Sequence, residues 1–165
     1  MNLFFLKNKK GFTLVELLIV IAIIMFIIIF VYLSFFRTKG FSELYSTRDR
    51  IVALLREAQN NAISQKQDSE WGIYFSNSTS VFPFYSFFYG TTYSTSTSLK
   101  KYNLPTSVQY NTSTIPTGSS LTIYFNKITG MPSTSTSIIL NFNLSNQTIA
   151  SSTININQSG LISFN

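Results

Sequence analysis

Residues 12–36 contain no Gly, no Pro and a single charge, Glu16. As a helix this run would be about 37 Å long at roughly 1.5 Å per residue, enough to cross a hydrocarbon core of about 30 Å. A cleavable secretory signal is shorter, with about 7–15 apolar residues and a small-residue cleavage site behind it. Here Leu33-Ser34-Phe35-Phe36-Arg37 offers no such site, so the run reads as a retained membrane helix. Lys7, Lys9 and Lys10 precede it, and Arg37 and Lys39 follow it. That balance leans towards a cytoplasmic N-terminus. The weakly charged remainder of the chain then lies outside.

Glu16 is the anomaly in this run. A carboxylate in hydrocarbon costs several kcal/mol (roughly 2.5–3.5 on insertion scales) unless it finds a partner or reaches the interface. Such a residue either snorkels at the membrane edge or meets a cation in the same apolar zone. A cut before Phe12 would create that cation, a new α-amino group four residues from Glu16 or facing the Glu16 of a neighbouring chain. Two unit charges about 4 Å apart attract by about 4 kcal/mol at an effective dielectric near 20.

The segment Lys9-Lys10-Gly11-Phe12-Thr13-Leu14-Val15-Glu16-Leu17-Leu18-Ile19-Val20-Ile21-Ala22 closely resembles the leader of type IV pilins and pseudopilins. The resemblance implies a basic leader, residues 1–11, removed after Gly11 by a prepilin peptidase that also N-methylates Phe12. It implies that Glu16 guides subunit assembly. The implied partners are that prepilin peptidase/N-methyltransferase, other pilin or pseudopilin subunits met through the N-terminal helix, an inner-membrane assembly platform and the lipid bilayer. The implied location is the inner membrane, single-pass with the N-terminus inside, and afterwards a periplasmic or extracellular filament. Many major pilins carry a Pro in the second half of the apolar segment. Residues 25–36 have none, as in many pseudopilins and minor pilins.

Beyond the apolar run the pattern changes twice. In residues 41–66 apolar side chains recur every three or four positions, at Phe41, Leu44, Tyr45, Ile51, Leu54, Leu55, Ala58, Ala62 and Ile63. This predicts an amphipathic helix over 37–69 with one buried stripe, and Gly40 as a loosened joint before it. From Trp71 onward the only charges are Lys100, Lys101 and Lys127, and 44 of the 95 residues are Ser, Thr or Asn. Short β-like runs at 71–75, 81–89, 107–110, 121–128, 137–144, 148–157 and 161–164 are separated by Gly, Pro and Ser turns. The expected fold class is α+β: a long N-terminal helix, transmembrane in its first half (12–36), packed on an antiparallel sheet or small sandwich in a head at 70–165.

The order of Leu104-Pro105, Ile123-Tyr124-Phe125, Gly130, Ile138-Ile139-Leu140 and 154–160 is similar to the H-type minor pseudopilins of type II secretion and the FimT-like minor pilins. That likeness implies a minor subunit. Some FimT-like pilins bind DNA through a basic tail, but residues 160–165 contain no Lys or Arg. Nucleic acid is therefore not an expected partner, and Lys100-Lys101-Tyr102 reads as a solvated loop. The aromatic group Phe82, Phe84, Tyr85, Phe87, Phe88, Tyr89 and Tyr93 reads as packing, not as a contact surface.

With no Cys or His in the chain and no Asp or Glu after Glu70, the head lacks an ordinary acid–base pair and a carboxylate-built cation site. No catalytic, cofactor or metal residue is expected, and the chain does not read as an enzyme. Two functions remain: a subunit of a type IV pilus-like or type II secretion filament, or a membrane-anchored binding protein that never polymerises.

Overall fold

The computed structural model describes residues 11–144 and 147–165. Apart from Gly11, the expected leader lies outside the described residues. The chain divides between Thr38 and Lys39 into two compact units. One helix, α1 (Leu14–Ile63), contributes to both.

Before Thr38, every described side chain from 12 to 35 is exposed. No described residue of this unit covers the apolar run. Among the described residues α1 is the helix long and apolar enough to span a membrane, and none of its apolar window is buried.

After Lys39 the helix becomes one-sided. Leu44, Ile51, Leu55, Ala58 and Ala62 are fully buried, as the spacing predicts. Val52 and Thr47 join them. Tyr45 and Ile63 stay exposed, against expectation; the Tyr45 ring lies on the helix surface with the Arg48 guanidinium 5.0 Å from its centroid. The helix ends at Ile63, six residues before the expected limit of 69. A left-handed Gln65 (φ 53°) turns the chain into a short 3-10 turn, Lys66–Asp68.

Eight strands follow: β1 (Trp71–Ser76), β2 (Phe84–Tyr89), β3 (Ser98–Asn103), β4 (Val108–Tyr110), β5 (Ser120–Phe125), β6 (Thr136–Leu144), β7 (Gln147–Ile156) and β8 (Ile162–Phe164). They form two antiparallel sheets, ordered β3-β2-β1-β5 and β4-β6-β7-β8. The fold is α+β, one long helix packed on antiparallel sheets. A single core joins the helix stripe to Trp71, Ile73, Phe75, Tyr85 and Phe87 of the first sheet. On the second sheet it takes in Ile138, Leu140, Phe142, Ile154 and Ile156. The β7 alternation is the period of a half-buried strand, with Ile154 and Ile156 inward and Asn155 outward.

Three sequence expectations change here. Lys100-Lys101-Tyr102 is not a loop but part of β3, an edge strand. Its lysines put charge on that edge, with Lys101 Nζ 3.8 Å from the Phe84 ring centroid and Lys100 Nζ 3.8 Å from Glu57 Oε1. Pro83 delays the second strand to Phe84, so Val81 and Phe82 stay outside it and exposed. Gly40 is no loosened joint. It lies inside α1, and a Cβ there would run into the Phe142 ring. The helix and sheet approach too closely at that point for any side chain.

β2 is buried on both faces because two sets of aromatics serve two layers. Tyr85 and Phe87 belong to the helix-facing core. On the other face Tyr93 stacks on Tyr74 at 4.0 Å and meets Phe88 edge-on at 5.8 Å. The expected packing role holds for most of the aromatic group; Phe82 is the exception, at 70 % exposed.

Candidate functional site

Gly11, Phe12 and Glu16 lie at the start of α1. Residues 11–13 are non-helical and the helix begins at Leu14. The Glu16 N–H donates to Thr13 Oγ1 at 3.2 Å, and the Leu17 N–H donates to the Thr13 carbonyl, also at 3.2 Å. Thr13 is therefore the N-cap, satisfying donors that the first turn leaves without intrahelical partners. Glu16 falls three positions after the cap, in the first turn. Thr-x-x-Glu ahead of an apolar run is the sequence signature of a capping box. The sequence reasoning passed over Thr13, although this spacing was there to find it.

The geometry explains each residue type. A Cβ added at Gly11 would meet no atom within 4 Å. Among the described residues nothing crowds that position. Phe12 is 77 % exposed, and Glu16 is exposed as well. The positive end of the helix dipole favours a carboxylate at Glu16 by about 0.3–1 kcal/mol. Around it Leu14, Val15, Leu17 and Leu18 are all exposed, so the carboxylate stands in an apolar collar that no described residue covers. Leaving an aliphatic side chain of this size in water forfeits about 1.5–3 kcal/mol relative to burying it.

The family model describing the prokaryotic N-terminal methylation motif matches residues 6–32. This finding supports the type IV pilin and pseudopilin family. The match takes in Gly11, Phe12 and Glu16, together with most of the apolar run. For a pilin-like chain the motif implies processing by a prepilin peptidase and association with pilin-type subunits. No curated protein and no solved structure matches the chain. Among the described residues no cluster of three or more Asp and Glu side chains stands ready for a metal ion.

Proposed function

We propose that this pilin-like protein is a minor pilin or pseudopilin, a non-enzymatic structural subunit of a type IV pilus-like or type II secretion filament. The leader is cut after Gly11 and Phe12 is N-methylated. The new amine then pairs with Glu16, its own or that of a neighbouring subunit, inside a bundle of apolar helices. Residues 12–36 anchor the subunit in the inner membrane before assembly, and the head lies outside.

The observation that carries this reading is the methylation motif set on a capped helix start whose apolar surface is bare. A plain membrane anchor has no use for a carboxylate one turn into its apolar run. An assembling helix does, because a paired carboxylate aligns one chain's start against another's.

The test is intact-mass measurement of the membrane-extracted protein beside Glu16→Ala. Wild type should begin at Phe12 and carry one added methyl group. Glu16→Ala should be inserted and cleaved but depleted at least tenfold from sheared filaments, a loss of about 1.4 kcal/mol or more in incorporation. A mass beginning at Met1, or wild-type incorporation of the variant, would defeat the proposal.

A further inference from the structure

The head carries a cleft of about 410 Å³ that has no part in the N-terminal site. Ligand clefts of small molecules begin at roughly 300 Å³. Its walls are the segment between β1 and β2, the turn between β3 and β4, β4 itself and the loop leading to β5. Backbone bonds pin these walls together. The Leu104 N–H donates to the Pro83 carbonyl at 2.8 Å, the Gly118 N–H to the Asn77 carbonyl at 2.7 Å, and the Asn77 N–H to the Ser119 carbonyl at 3.0 Å. The cleft is thus formed before any ligand arrives.

No charged residue lines it. Leu104 and Val108 are buried beneath it, and Phe82 and Pro83 stand at its side. Phe82 is the most exposed aromatic of the head, so its ring face is available. Asn77 is only 9 % exposed; its Nδ2 donates to the Ile115 carbonyl at 2.8 Å, while Oδ1 accepts no hydrogen bond from any described residue. Gln109 has the opposite vacancy. Its Oε1 accepts from Asn143 Nδ2 at 2.8 Å, and its Nε2 donates to no described residue. The hydroxyls of Thr112 and Thr117 are exposed on the same walls.

We infer that this cleft binds a neutral sugar, with the apolar ring face against Phe82 and Pro83 and the hydroxyls bonded to Asn77, Gln109 and the threonines. A sugar hydroxyl both donates and accepts, which suits one unused acceptor and one unused amide donor on the lining of the same cleft. An aromatic ring beside them takes the C–H face of the sugar, an apolar body with a polar perimeter. An anionic ligand is disfavoured, because a carboxylate entering this cleft loses water and gains no cation. The inference does not depend on whether the chain polymerises, and its test reads the head alone.

The full-length protein in zwitterionic, sugar-free detergent micelles is titrated with glucose, galactose, N-acetylglucosamine and, as the charged comparison, glucuronate. Saturation-transfer NMR is the readout. At least one neutral sugar should bind with a Kd of about 1 mM, typical of a small ligand with few contacts. Phe82→Ala should weaken it by roughly tenfold or more and leave thermal unfolding unchanged, because the ring is exposed. Phe82→Trp should keep or tighten binding. The inference is overturned if no neutral sugar binds, if glucuronate binds as well as the neutral sugars, or if Phe82→Ala binds like wild type.

Discussion

At Thr13 and Glu16 two requirements meet in one turn. The helix start needs acceptors for its free N–H groups, and Thr13 supplies one through Oγ1 and closes the first turn through its carbonyl. On the proposed cut, the Phe12 amine would sit at the positive end of the helix dipole, which repels it. Glu16 is the only acid between residues 12 and 36 and so the only local group that can reverse that repulsion. The cap and the carboxylate can be separated by mutation. Thr13→Val removes the hydroxyl and keeps the shape, at a cost of about 1 kcal/mol. Amide exchange at Glu16 should accelerate about fivefold, and Thr13→Ser should restore protection. Equal exchange in Thr13→Val and wild type would show that the hydroxyl does not hold the first turn.

The helix that starts there ends on a different problem, which the sequence left half legible. The apolar stripe named its buried residues well, because Leu44, Ile51, Leu55, Ala58 and Ala62 follow a period that any neighbour would impose. Gly40 was misread because a glycine in a helix looks the same whether it loosens the chain or admits a neighbour. Only the long-range approach of Phe142 decides between the two. The choice between one sheet and a small sandwich stayed open for the same reason, since β1 pairs with β5 across about fifty residues. β3 was hidden because its lysines answer to solvent at an edge, not to the core. The motif at Gly11, Phe12 and Glu16 was legible because it is local and contiguous, and the Thr13 cap is equally local, written in the Thr-x-x-Glu spacing. Gly40 yields a prediction that inverts helix propensity. Ala should favour the helix by about 1 kcal/mol, yet Gly40→Ala should destabilise the head by about 1–3 kcal/mol through overpacking. Denaturant unfolding would measure it. Adding Phe142→Leu to Gly40→Ala should recover part of the loss; a stabilising Gly40→Ala would mean that the ring moves aside freely.

Over the whole molecule, ionisation matters little to the head, because its polar surface is built from hydroxyls and amides. Ser137 Oγ donates to Asn155 Oδ1 at 2.6 Å, and Thr148 Oγ1 donates to Asn143 Oδ1 at 2.9 Å, where other proteins would place charges. At acid pH the exposed Asp68–Lys127 pair, 2.7 Å apart, is the clearest contributor. Its hydrogen bond from Lys127 holds the Asp68 carboxyl below the usual range, so its small contribution is present at neutral pH and fades as the carboxylate protonates. The larger effect lies at the alkaline end. Burial pushes Tyr85 up to about 12, with Arg50 pulling the other way, and pushes Tyr110 well above 10. Both phenols keep their protons in the folded state at a pH where the unfolded chain has lost them. The folded state therefore binds more protons, and stability must fall as pH rises above 10. Tyr110 also donates its hydroxyl to the Phe84 carbonyl at 3.0 Å. Tyr110→Phe should cost about 1 kcal/mol at pH 7 by removing that bond, yet should lose less on going to alkali, because it has one proton fewer to surrender. Thermal midpoints of the two proteins should converge between pH 10 and 12. Parallel curves would place the alkaline loss elsewhere, with Tyr85 as the next group to replace.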